Sequence, residues 1–281
     1  MTGAALTDGR LSASRWLGPD FLGPAQRVVS LVPSLTHAVF ELGAGDTMVG
    51  RTDFCVRPEP EVDAVTAVGG TKNPDVDRVL ELAPDLVLAN REENTRRRVE
   101  RIAERVPVLL TEPRGPDDAP PLWRELGLAV GRGGAGDVLA REVELELARC
   151  GTLSKGGGPS FVYWVWRAPW MAAGRDTYIS ELLTTAGWHN AVPEEGTRYP
   201  KLEPPQALAL EPDVLLFSSE PYDFDLPRDL DVFCDAPKRR NGGWSLDGST
   251  VALAVDGQRL SWYPSLTAAG LRLARELVGA R

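Results

Sequence analysis

Short apolar runs alternate with amphipathic helical stretches along this chain, and one unit of that alternation occurs twice. Leu82-Ala83-Pro84-Asp85-Leu86-Val87-Leu88 returns as Leu210-Glu211-Pro212-Asp213-Val214-Leu215-Leu216, with residue 210 standing where residue 82 stood. Each copy follows an amphipathic run, Val76 to Leu82 in one and Gln206 to Leu210 in the other. Proline stops the helix and is expected to push the residue before it into an extended conformation. The apolar run behind Asp then reads as a buried parallel strand. A helix, Pro-Asp and strand unit repeated about half a chain apart predicts two α/β lobes of similar build.

The remaining pattern fills in both halves. Arg27 to Val32 is a β-branched strand, and Leu35 to Leu42 has helical spacing with Ser34 as the expected N-cap. Thr47 to Gly50 and Pro107 to Leu110 read as strands. Asp75 to Leu82 and Glu92 to Arg105 read as helices, with Asp85 to Ala89 as the strand between them. Trp123 to Val130 and Val138 to Cys150 are helical, and the second has no strand beside it, which suits a connector. Gly151 to Pro159 is a glycine-rich break. Beyond it come the strand Phe161 to Trp166, a helix Thr177 to Ala186, the second Pro-Asp unit, the strand Thr250 to Val255 and a final helix Ser265 to Val278. Strands alternating with helices predict parallel sheets. The expected division is an irregular leader over residues 1–26, a first lobe over 27–132, a connecting helix over 133–152 and a second lobe over 153–281.

Charge and composition narrow the possible partners. A length of 281 residues admits one large domain or two of ordinary size. The net charge of −9 argues against nucleic acid, which needs a basic surface. No segment is long and apolar enough to span a bilayer. Cys55, Cys150 and Cys234 match no metal-ligand spacing, so no metal site is expected, and an odd cysteine count fits a reducing compartment. Met1 to Gln26 carries no signal-peptide core and no lipid-anchor cysteine, so the chain as written reads as cytoplasmic. A removed leader would make it periplasmic or extracellular.

Gly131, Gly133 and Gly136 fit a dinucleotide-binding string, but the segment before them has helical spacing where that motif needs a strand, so they read as a helix break. Arg96, Arg97, Arg98, Arg101 and Arg105 alternate with Glu92, Glu93, Glu100 and Glu104, the pattern of a solvated helix face. The only histidines, His37 and His189, lie in different halves and read as packed or solvent-facing. Aromatic residues crowd the second half: Tyr163, Trp164, Trp166, Trp170, Trp188, Trp244, Trp262 and Tyr263. Trp164 and Trp166 share one face of their strand. That strand ends at Ala168-Pro169, and the carboxyl ends of parallel strands open toward ligands. Trp166, Arg167 and Trp170 there suit a large, partly planar or anionic compound.

Arg27-Val28-Val29-Ser30-Leu31-Val32-Pro33-Ser34-Leu35-Thr36, Leu42-Gly43-Ala44-Gly45-Asp46 and Val49-Gly50-Arg51-Thr52-Asp53 resemble the opening of bacterial cobalamin- and siderophore-type substrate-binding proteins. Val68-Gly69-Gly70-Thr71-Lys72-Asn73-Pro74-Asp75, the first Pro-Asp unit and Ala172-Ala173-Gly174-Arg175-Asp176-Thr177 continue the likeness, which runs from about Arg27 to Gly279. The resemblance implies two Rossmann-like α/β lobes joined by a single long helix. It further implies a ligand cleft between the lobes, holding cobalamin, haem or a ferric siderophore as ligand rather than cofactor, and delivery to an ABC importer.

Carried over by position, the cleft residues are Phe54, Thr71, Asn90, Trp166, Arg167, Trp170 and Tyr199, and Ser34, Arg175 and Trp262 are further candidate ligand contacts. Thr71 and Asn90 stand where cobalamin binders place aromatics, and His37 stands where an acid is usual. Importer docking in the family uses one acidic side chain per lobe. Asp77 fills the first position, but Pro205 occupies the second, which predicts a binder uncoupled from transport. The alternative is a cytoplasmic enzyme on the same scaffold acting on a bulky natural-product-like substrate, with His37, Asp53 and Glu92 as acid–base candidates.

Overall fold

The computed structural model describes residues 13–151, 157–194, 196–226, 228–233, 238–240, 243–246 and 249–279. The chain separates into two compact units. One holds the residues up to Pro113 with Asp118–Glu142 and Tyr263–Ser265; the other holds Arg114–Asp117, Val143–Trp262 and the residues from Leu266 onward.

The first unit contains β1 (Ser14–Leu17), β2 (Val28–Ser30), α1 (Pro33–Glu41), β3 (Met48–Arg51), β4 (Thr66–Ala67), α2 (Val76–Glu81), β5 (Leu86–Asn90), α3 (Arg96–Ala103), β6 (Val108–Thr111), α4 (Ala119–Ala129) and the start of α5 (Gly133–Cys150). Its sheet runs β1-β6-β5-β2-β3-β4, parallel except for β1. Val29, Val87, Ala89, Val108 and Leu110 pack against Val76 and Val79 of α2 and Val99 and Ile102 of α3. The second unit contains β7 (Ser160–Trp166), β8 (Met171–Ala172), α6 (Tyr178–Thr185), β9 (His189–Asn190), α7 (Pro204–Leu208), β10 (Val214–Ser218), β11 (Lys238–Arg240), β12 (Gly243–Ser245), β13 (Val251–Val255), α8 (Gly257–Ser261) and α9 (Thr267–Gly279). Here the order is β11-β12-β13-β10-β7-β8, and β9 also pairs with β7. The central strands β13, β10 and β7 are parallel, as the alternation predicted.

The repeated Pro-Asp unit does the same job in both sheets. The Asp85 carboxylate accepts the backbone N–H of Gln26 at 2.9 Å and of Arg27 at 3.0 Å, fixing the start of β2 beside β5. The Asp213 carboxylate accepts the Ser160 N–H and hydroxyl, each at 2.8 Å, fixing the start of β7 beside β10. Arg27 also reaches back, its Nη2 bonding the Leu82 carbonyl at 2.6 Å and so capping the carboxyl end of α2. The residue before each proline is not extended: Ala83 has φ 44° and Glu211 φ 50°. Leaving a helix in a single step favours the left-handed conformation, and proline's ring excludes only the right-handed helical one.

Three other local expectations change. The stretch expected as an irregular leader carries β1, whose Trp16 Nε1 bonds Glu125 at 3.0 Å and whose ring stacks on Phe21 at 4.7 Å. Ser34 is not the N-cap of α1; the helix starts at Pro33, since a ring with no N–H to satisfy suits the first turn. Helix α3 begins at Arg96 rather than Glu92, because Asn90 and Asn94 hold the intervening backbone in side-chain-bonded turns. The glycine row ends α4 at Gly131, φ 70°, and lets α5 cross α4 closely. A Cβ on Gly136 would lie 2.6 Å from the Trp123 carbonyl. No strand precedes it, so no dinucleotide site forms there.

Asp85→Ala and Asp213→Ala should each lower stability by about 1–2 kcal/mol, the worth of charge-assisted bonds at a partly exposed site. Urea denaturation checks this against Asp46→Ala, whose exposed pairing with Arg132 at 3.8 Å should be worth little.

Candidate functional site

In each sheet the first of the parallel strands lies between one reached by moving to one side and one reached by moving to the other. The crevice at the carboxyl ends of such a pair is where open α/β sheets take ligands. In the first unit the pair is β2 and β5, and in the second it is β7 and β10.

Around the first crevice, Phe54 is 62% exposed and lies on the loop after β3. Thr71 is half-buried, and its carbonyl accepts the Asn94 amide at 2.9 Å. Ser34 is buried, and its hydroxyl has no hydrogen-bond partner among the described residues. Asn90 is fully buried and fully used: its Nδ2 bonds Thr111 and the Tyr263 hydroxyl, the latter at 2.6 Å, while its Oδ1 accepts the N–H groups of Glu92 and Glu93. It serves as a structural hub rather than a ligand contact. Cys55, next to Phe54, is buried between the hydroxyls of Thr36 and Thr52, both 3.1 Å from its sulfur, and burial pushes its thiol pKa up.

Around the second crevice, Trp166 is 41% exposed at the last residue of β7 and packs edge-on against Tyr222 at 5.8 Å. Trp170 departs from expectation. It is 7% exposed and sits in an aromatic core with Trp164, Phe224 and Phe233 at 5.0 to 5.7 Å. Strand β8 folds back along β7 and turns it inward. Arg167 lies over the Trp170 ring and is paired with the buried Asp229. Burial alone would raise the Asp229 pKa, but bonds from Arg228, the Asp225 N–H and Arg167 outweigh it and hold the carboxyl below its ordinary range. Arg167 is therefore committed to the protein, whereas Arg175 is exposed and, among the described residues, uses its Nε alone, on the Val192 carbonyl at 3.0 Å. Tyr199 is half-buried. Trp262 is also nearly buried, its Nε1 donating to Glu220 at 2.6 Å.

The acid–base candidates differ in exposure. His37 is mostly buried on α1, 3.8 Å from Glu41 on the same helix, and Asp53 is exposed. Glu92 lies in the turn held by Asn90, and its carbonyl accepts Lys72. Among the described residues no group of three or more His, Cys, Asp or Glu is placed to hold a metal, and no helix is long and apolar enough to cross a membrane. Tyr222 was missed from sequence. The available signal was its place just after Glu220-Pro221, where β10 has ended.

Two α/β units, each with a strand-end crevice and an exposed aromatic, define the class of a bilobal solute-binding protein. The chain belongs to the periplasmic binding protein family, whose family model matches residues 28–235. A vitamin B12-binding protein of Pectobacterium carotovorum subsp. carotovorum (strain PC1) is 24% identical over 201 residues, covering 70% of this chain and 72% of the relative. The periplasmic vitamin B12 binding protein BtuF of Vibrio cholerae superposes with a TM-score of 0.76 at 16% identity, covering 92% of this chain and 98% of that one. The periplasmic heme-binding protein RhuT from Roseiflexus sp. RS-1 gives 0.71 at 24% identity, covering 91% and 97%.

Burial, and then the nearby Arg57 charge, hold the His37 pKa below its ordinary 6.5. The unfolded chain therefore takes up this proton first. The stability His37 confers is present above about 6.5 and is lost as pH falls through the lowered folded pKa. Thermal unfolding followed from pH 7.5 to 5 should show this loss, and His37→Gln should flatten it.

Proposed function

We propose that this chain binds a bulky metal chelate or similar aromatic compound of the cobalamin, haem or ferric siderophore kind, using the strand-end crevices of its units. The observation that carries the reading is the pair of exposed aromatics, Phe54 and Trp166, each beside the crevice of its own sheet. Flat apolar faces in water-accessible positions cost solvation unless a ligand covers them. The Trp166–Tyr222 edge pair gives a second-unit platform, and Arg175, with most of its guanidinium uncommitted to the bond it makes, suits an anionic group on the ligand. The names of the relatives, vitamin B12 and heme binders, point to the same chemical class.

Titration of intrinsic tryptophan fluorescence with cyanocobalamin, hemin and a ferric hydroxamate siderophore should show saturable quenching at micromolar concentration by at least one of them. Phe54→Ala and Trp166→Ala should each weaken that ligand about tenfold or more, the scale of a lost aromatic contact. No quenching by any of the three would overturn the reading.

We also infer that binding here is uncoupled from an ABC importer. Asp77 is exposed on α2 and bonded to Arg101 at 2.5 Å, whereas the equivalent place in α7 is Pro205. Glu203 does not fill in: it holds the N-cap position, as Asp75 does in α2, and its N–H donates to the Gln206 side chain at 2.9 Å. The free thiols of Cys55 and Cys150 fit the reducing compartment expected for a cytoplasmic binder. In proteoliposomes the protein should leave the ATPase rate of a cobalamin importer unchanged. Stimulation that disappears in Asp77→Ala would show the dock to be intact.

A further inference from the structure

The second unit holds a cavity that the reading above does not use. It measures about 400 Å³ and is lined by Phe224, Asp225, Leu226, Arg239, Gly243, Trp244 and Ala254. That volume lies within the range of small-molecule sites. The local fold explains why it is there. Strands β11 and β12 form an antiparallel ribbon on the edge of β13, with Trp244 opposite Ala252. The segment after β10 returns with Phe224 packed into the aromatic core, at 5.4 Å from Phe217 and 5.7 Å from Trp170. A side chain on Gly243 would meet Leu253 and the Ala252 carbonyl, so glycine is what allows the ribbon to lie against β13.

The wall chemistry is selective. Trp244 is half-buried and Phe224 is buried, which gives apolar surface on a rigid support. Asp225 is balanced by Arg228 at 3.9 Å, and its backbone N–H is taken by Asp229. Arg239 is exposed and has no side-chain hydrogen bond or ion pair among the described residues, which leaves its charge without a counter-charge among them. A guanidinium beside an indole and a phenyl ring matches a carboxylate carried on a flat aromatic body, by bidentate bonding at one end and stacking at the other. Asp225 disfavours a second negative charge on the same ligand.

We propose that this cavity is a second binding site, for small aromatic monocarboxylates, with Arg239 as the carboxylate anchor and Trp244 as the stacking face. It does not rest on the metal-chelate reading, since no residue named for that ligand lines it.

Isothermal titration with 2-naphthoate, and with its neutral amide 2-naphthamide, tests this on the full chain. The carboxylate should bind at a single site, and the amide at least about tenfold more weakly, the scale of a charge-assisted bond. Arg239→Gln should abolish that preference, Arg239→Lys should keep part of it, and Trp244→Leu should weaken both probes. Arg96→Gln, on the exposed face of α3, is the control for net charge. Thermal melts of each variant separate a lost site from a lost fold, and the lysine variant carries the test if the glutamine variant unfolds. Absence of binding at millimolar 2-naphthoate, equal affinity for acid and amide, or unchanged selectivity in folded Arg239→Gln would each overturn the proposal.

Discussion

A parallel strand cannot take its register from a hairpin turn, because its neighbour arrives after a helical crossover. Something other than the turn has to fix where each strand begins. In this protein a carboxylate does it: Asp85 holds Gln26 and Arg27, just before β2, and Asp213 holds Ser160, the first residue of β7. A slip of one residue would turn Val29, Val87 and Ala89 away from the helices that cover them and send Leu215 and Phe217 out of their aromatic core. The strand-end positions of Asn90, Trp166 and Ser218 all depend on that register, and so does the placement of either crevice.

The two copies of this device also share a strained residue. Ala83 and Glu211 are both left-handed, a conformation that costs a side chain about 1–2 kcal/mol relative to glycine. Neither position has become glycine. The strain is offset by what it permits: an immediate exit from the helix that leaves Asp85 and Asp213 one proline later, within reach of the neighbouring strand. Repetition down to this detail makes chance recurrence of ordinary turn chemistry a poor account of the motif.

Much of the fold was legible because the apolar pattern and the proline signals agreed. The central strands of both sheets, the helices starting near Asp75 and Thr177 and the long α5 all followed from residue order. The short edge strands β1, β8, β9, β11 and β12 were not legible, since two to four residues carry no period to read. The candidate site was legible only in part. Phe54 and Trp166 are exposed, whereas Trp170 and Trp262 are buried and Arg167 is neutralised by Asp229. Sequence position placed those residues near a strand end. It could not say that β8 doubles back on β7, nor that an acid 62 residues further on would claim the arginine. Asn90 misled for a related reason: a polar residue closing a strand looks like a ligand contact until its partners, Thr111 and Tyr263, are known.

The return of Tyr263–Ser265 to the first unit bears on how this protein is made. Asn90 and its partner Tyr263 are separated by 173 residues, so the ribosome must add all of them before the pair can meet. Until then Asn90 keeps its bonds to Thr111, and the β5–β6 core can form around it. The tyrosine can dock only after residues 143–262 of the second unit have been synthesised. A chain interrupted between Glu142 and Tyr263 would carry the rest of the first unit with this tie missing.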